Sequence, residues 1–148
     1  MDALPHEPPP EVVMDVIALI GRIVFTLCFI LGGIGHLTAT EAMSGFAASK
    51  KVPQPTLAVQ ISGIWIIVGS VLLILGVWPD LGALMLMVFL LGTAVLMHDF
   101  WTETDPQAKQ MEQIQFTKDL SLAGGALAIF ALYAMDPHPG LNLVGPLF

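Results

Sequence analysis

Two short stretches hold most of the side chains able to do chemistry in an otherwise apolar body. They are His98-Asp99-Phe100-Trp101, and Gln115 to Asp119 with Lys118 inside it. Their groups are imidazole, carboxylate, ammonium, amide and indole, all able to make hydrogen bonds. Charge placed at the edge of hydrocarbon is costly, so such groups usually face a protein interior or water and often mark function. An imidazole and an ammonium beside a carboxylate suit gripping a carbonyl, with the carboxylate orienting them. Trp101 offers an interfacial anchor, or a stacking wall for a flat ligand head. His36 and Gln60 are further polar residues in apolar surroundings. His36, His98, Asp99 and Asp119 include metal-ligating types, but no His-x-x-x-His or Glu-x-x-His spacing joins them, so no metal is expected.

The elements that must position these groups follow from composition. The chain has 148 residues, 55% hydrophobic and 11% charged, with mean hydropathy +0.80. A soluble domain of this length could not cover so much apolar surface, so the solvent is a bilayer and lipids are the first partners. Five basic against 12 acidic residues exclude a nucleic-acid partner, which needs a basic footprint. A lone cysteine, Cys28, excludes internal disulfides and dithiol chemistry. No Walker loop, dinucleotide fingerprint or nucleophile elbow is present.

Residues 1–15 read as an extended acidic tail around Pro8-Pro9-Pro10. No lysine or arginine precedes the first apolar run, so that run is expected to stay as a span rather than be cleaved as a signal peptide. Residues 16–136 then hold four spans, each near the roughly 20 residues that cross hydrocarbon. They are Val16 to Leu37 (with Val12 as an alternative start), Thr56 to Val77, Leu81 to Met97, and a last helix from Pro106 to Met135 capped by Asp105. Asp136-Pro137 and Pro139-Gly140 end the fourth span. Residues 137–148 form a short apolar tail, expected along the membrane interface or against a partner. The fold class is all-α, an integral membrane antiparallel four-helix bundle; three spans with one buried amphipathic helix is the alternative. Gly32-Gly33, Gly69-Ser70, Ser121 and Gly124-Gly125 mark expected close helix contacts. Lys50, Lys51 and Lys109 fall in the two longer loops, which places those loops in the cytoplasm and both tails outside.

Antiparallel threading has a consequence for the polar residues. It puts the end of span one, the start of span two, the end of span three and the start of span four on one side of the membrane. His36, Gln60, His98, Asp99, Gln115, Lys118 and Asp119 thereby share one level. His98 or Asp99 is expected to pair with Lys118 or Gln115 across spans three and four. In span one, Asp15, Arg22, Phe29 and His36 recur every seven residues and so lie along one helix face. Arg22 is expected to point into the bundle, with Asp15 as its partner, because a lipid-facing arginine there costs on the order of 3 kcal/mol. It stands 14 residues, about 21 Å, from His36 and belongs to a different site.

Several of these strings also resemble the DoxX family. They are the Gly-Arg opening of span one with Gly33 and His36 near its end, Phe46 with Lys51-Val52-Pro53, and a glycine-rich second span. To these add Phe89 to His98-Asp99-Phe100-Trp101, and Phe116-x-Lys118-Asp119-Leu120 before Gly124-Gly125. The similarity runs from about Gly21 to Tyr133. It departs where the family often has lysine (His36), glutamate (Gln60) and asparagine (Asp119). The resemblance implies a four-span bacterial or archaeal inner-membrane protein; some relatives are subunits of a thiosulfate:quinone oxidoreductase, and others associate with redox or detoxifying enzymes. The expected function is therefore a small accessory subunit of a respiratory or redox complex, without an intrinsic cofactor, contributing to a quinone site at its polar end. There His98 and Lys118 would bond a carbonyl, Asp99 or Asp119 would orient them and Trp101 would pack on the ring. Two rivals are a non-catalytic assembly protein docking a partner enzyme, and a transporter of a small solute or lipid.

Overall fold

A computed structural model describes residues 10–135 and 140–148. What was expected of residues 1–9 and 136–139, including the helix stop at Asp136-Pro137, lies outside the described residues. Helix α1 spans Glu11–Thr38, α2 Thr40–Ser49, α3 Pro55–Leu75, α4 Pro79–Met97 and α5 Pro106–Met135. The fold is all-α, and α1, α3, α4 and α5 are each long and apolar enough to cross a membrane. Between 22 and 33% of each span's most apolar stretch is buried within the protein, so the remaining apolar surface needs lipid as its solvent.

Local chemistry sets the helix boundaries. Helix α1 starts at Glu11, five residues ahead of the expected span, because the Pro10 carbonyl already accepts from Val13 and Met14. Helices α3 and α4 both open with proline at the first position, where its missing N–H costs nothing. The α3–α4 turn lies at 76–78, and Pro79 and Asp80 belong to the first turn of α4 rather than to the turn itself. Asp105 caps α5 as expected: its Oδ1 accepts from Gln107 N at 3.0 Å and Ala108 N at 2.8 Å. The segment 38–55, read as a loop, contains the short helix α2, which packs on α3.

The spans pack in sequence, α1 on α3, α3 on α4 and α4 on α5, around Phe29, Ile66, Leu73, Leu86 and Leu90. Glycine decides two of these contacts. A Cβ on Gly33 would meet Gly63 O at 2.9 Å, and one on Gly82 would meet Gly69 O at 2.6 Å. Backbone meets backbone at both crossings. Gly33 and Gly69 were expected; Gly63 and Gly82 complete the pairs. Gly124 has nothing within 4 Å of an added Cβ and plays no such part.

The segment 140–148 folds back onto its own bundle instead of lying along the interface or on a partner. Leu143 N bonds Leu75 O, and Val144 N and Gly145 N bond Gly76 O, which satisfies carbonyls left free at the end of α3. The Asp80 carboxylate, 1% exposed, accepts from Leu147 N and Phe148 N at 2.8–2.9 Å.

Arg22 points into the bundle but does not use Asp15. Its Nη1 donates to Tyr133 Oη at 3.0 Å and Asn142 Oδ1 at 2.8 Å, and its Nη2 to Leu141 O. Among the described residues Asp15 forms no ion pair. The reason is that α5 and the returning segment bring closer acceptors to the guanidinium. Arg22 thus ties α1, α5 and the segment 140–148 at the end opposite His36.

Candidate functional site

At the far end from Arg22, α1 and α5 are not packed on each other, and a cavity of about 610 Å³ opens between them. Its depth is apolar, with Phe29, Ile66, Phe89 and Leu122 among its walls, and α2 covers it with Met43 and Phe46. Its polar lining comes from His36 on α1, Thr93 and His98 at the end of α4, and Lys118 and Asp119 on α5. A second cavity, of about 240 Å³ on the α3–α4 side, shares His36, Phe89 and Thr93 as a common wall.

His36 stands half-buried with its ring edge toward Phe89, centroids 6.0 Å apart. Its Nδ1 is 3.2 Å from Val59 O and 2.9 Å from Ser62 Oγ. A carbonyl only accepts, so Nδ1 carries the proton and Nε2 is left as an acceptor. Asp119 is 6% exposed. Its Oδ2 accepts from Thr93 Oγ1 at 3.0 Å and lies 3.6 Å from His98 Nε2, while its Oδ1 is 3.4 Å from Lys118 Nζ. His98 Nδ1 lies 2.8 Å from Glu112 Oε2, so each ring nitrogen faces a carboxylate. A buried carboxylate needs such donors, because an unpaired one is strongly destabilising.

Four of the expected residues meet here: His36, His98, Lys118 and Asp119. The other four do not line the cavity. Asp99 turns away to form an ion pair with Lys50 at 2.5 Å, since α4 stops at Met97 and residue 99 leaves the helix register. Trp101 is exposed and stacks edge-on with Phe100 and Phe116, at 5.2 and 5.9 Å between centroids, in the manner of an interfacial anchor. Gln60 is exposed on α3. Gln115 accepts from Lys118 Nζ within α5, one turn away. The expected pairing across spans three and four is therefore His98 with Glu112 and Asp119, not with Lys118 or Gln115.

Sequence reasoning missed Glu112, Thr93, Cys28 and Lys50. Glu112 and Asp119 repeat the seven-residue spacing that marks α1, and Thr93 is the only hydroxyl in its span. Those signals were present. Cys28 lines the cavity as an exposed free thiol and carries no comparable signal. Lys50, at the end of α2, clamps the cover helix to the α4–α5 connection through Asp99 and Glu103. Burial works against its ammonium, but the bond and charge of Asp99, with further help from Glu112 and Glu103, prevail and raise its pKa.

Comparison with known proteins fits this arrangement. The DoxX family model matches residues 17–99. The inner membrane protein YphA of Escherichia coli (strain K12) is 32% identical over 114 residues, covering 77% of this chain and 81% of the relative. No solved structure matches.

Proposed function

The chain belongs to the DoxX family, and we propose that it is a multi-pass inner-membrane protein whose cavity binds a lipid-soluble molecule of the quinone class. The observation that carries this reading is the join between an apolar cavity of about 610 Å³ and a polar end built from His36, Thr93, His98, Lys118 and Asp119. A ring with hydrogen-bonding oxygens and an isoprenoid tail needs that combination: a few placed polar groups at one end of an apolar site. Lys118, half-exposed at the mouth, donates to a carbonyl oxygen. His98 donates from whichever nitrogen carries the proton, and Asp119 holds both. Trp101 and Asp99, outside the cavity, have no part in this.

These residues supply hydrogen bonds and protons, so electrons in this reading come from a partner enzyme, and the protein acts as a small membrane subunit beside it. The lysine-bearing end, with Lys50, Lys51 and Lys109, faces the cytoplasm under the positive-inside bias.

Cys28 provides the test, because it lines the cavity and is the sole thiol. The full chain in lipid nanodiscs is treated with a small maleimide, with and without a fully substituted alkyl benzoquinone that cannot itself add a thiol. Modification should slow as quinone saturates, and Lys118→Met should raise the quinone concentration required. An unchanged rate at saturating quinone refutes the reading. A stoichiometric partner complex that survives loss of both His98 and Lys118, without such protection, would favour a docking role.

A further inference from the structure

The acid–base groups at the polar end lie in a row. Glu112 and Asp119 are seven residues apart on α5, so they share one face with a drift of about 20° and stand about 10 Å apart along the axis. Between them sits His98, at the position where α4 has ended. One ring nitrogen is 2.8 Å from the Glu112 carboxylate, and the other is 3.6 Å from that of Asp119. The Glu112 side chain keeps 18% exposure near the outer end of α5, whereas Asp119 keeps 8% and lines the cavity.

We propose that Glu112, His98 and Asp119 form a proton relay joining the aqueous edge of the bundle to the polar end of the cavity, with His98 as the carrier. Imidazole accepts a proton at one nitrogen and releases one from the other, and it does so near neutral pH. The relay starts with Glu112 protonated, His98 neutral with its proton on Nε2, and Asp119 ionised. At the outer end an O–H bond of Glu112 breaks and an N–H bond forms at Nδ1. At the inner end the Nε2–H bond breaks and an O–H bond forms on Asp119 Oδ2. One proton has moved inward, the trio's charge is unchanged, and the imidazole is left in its other tautomer. Rotation of the ring about its Cβ–Cγ bond then turns the protonated nitrogen toward Asp119, and Glu112 takes a proton from water for the next transfer.

The inner step is the slow one. At 3.6 Å it is longer than a hydrogen bond, and closing it takes a shift of about half an ångström. Meanwhile Thr93 Oγ1 and Lys118 Nζ hold the two Asp119 oxygens. The other charges facing this row are Lys118 on α5, His36 across the cavity, and Lys50 with Asp99 and Glu103 on the outer side. Lys50 is already engaged by two carboxylates, which leaves Glu112 to His98.

The purpose of such a relay, to give a bound head group its proton or take one away, rests on the quinone-class reading of the cavity. The relay is nevertheless testable without any ligand. Infrared difference spectra of the full chain in nanodiscs isolate the Asp119 carboxyl band by subtraction of Asp119→Asn. At the pH where that band is half-developed, transfer to heavy water gives the half-time of its deuteration. His98→Asn should lengthen this half-time on the order of tenfold or more. Glu112→Gln, at a more exposed position that leaves the fold intact, should lengthen it in the same direction by less. Equal half-times in the three proteins overturn the relay, because water then reaches Asp119 through the cavity. If His98→Asn does not fold, Glu112→Gln alone decides. Slowed deuteration without quinone protection of Cys28 keeps the relay and sinks the ligand reading; protection with unaltered deuteration does the reverse.

Discussion

Asp80→Asn isolates the anchor that folds the segment 140–148 back onto the bundle. The Asp80 carboxylate is 1% exposed and meets two backbone donors, Leu147 N at 2.8 and 2.9 Å and Phe148 N at 2.8 Å. Asparagine keeps one acceptor oxygen and turns an amide NH₂ toward whichever donor remains. At least one charge-assisted bond is lost and the other weakens, at a cost of about 1.5–3 kcal/mol. That corresponds to a fall on the order of tenfold to a hundredfold in the docking equilibrium constant of residues 147–148. The loss should be local. Leu143, Val144 and Gly145 donate to Leu75 and Gly76 carbonyls, and Leu141 and Asn142 stay on Arg22. Amide hydrogen exchange on the full chain in nanodiscs reads each of these separately. Protection at 147 and 148 should fall by that factor, while protection at 143–145 changes little. Unaltered exchange at 147 and 148 refutes the assignment, and equal loss along the whole segment shows that Asp80 holds α4 rather than this strand of chain.

Three further expectations follow from packing and charge. Gly82→Ala drives a Cβ against Gly69 O at 2.6 Å and Leu73 N at 3.0 Å, both backbone, so it should destabilise the bundle by at least about 1–3 kcal/mol in a thermal or detergent titration; Gly124→Ala, with open space, should cost nothing. An equal effect at both sites would contradict the proposed α3–α4 contact. Gly63→Ala meets His36 Cβ at 2.7 Å, so it should both lower stability and displace the imidazole, weakening quinone protection of Cys28 more than Gly82→Ala does. The Lys50 clamp depends on its proton: its pKa is raised in the folded state, so its contribution is full below the ordinary lysine value of 10.5 and is lost as pH rises through the higher folded value. Residues of α2 should therefore gain proteolytic or label access above that range, and Lys50→Met, at a cost of about 1 kcal/mol, should show the same access already at neutral pH.

How much of this is legible in the sequence depends on which physical rule is in force. Spans are dictated by the length of hydrocarbon and its intolerance of charge, so their number and most of their ends could be read directly, down to Asp105 capping α5. Antiparallel threading then fixed the level at which His36, His98, Lys118 and Asp119 meet. What could not be read is which groups face each other at that level, because this turns on where α4 stops. Had the helix continued, His98 and Asp99 would point about 100° apart from the bundle surface. It stops at Met97, so His98 reaches α5 and Asp99 reaches back to Lys50 on α2. Helix α2 was illegible for a related reason, since ten residues without charge periodicity look like loop until α3 offers them a face. The returning segment was illegible because its bonds are backbone bonds to α3 and to Asp80, and no side-chain pattern records them. Arg22 links the two ends of the bundle. The same seven-residue repeat that puts it on the inner face with Phe29 and His36 puts it about 21 Å from His36, at the cavity's polar end. One stripe therefore does two jobs: it ties α1 to α5 at one end, and at the other it supplies His36 to the cavity where the two helices are left apart.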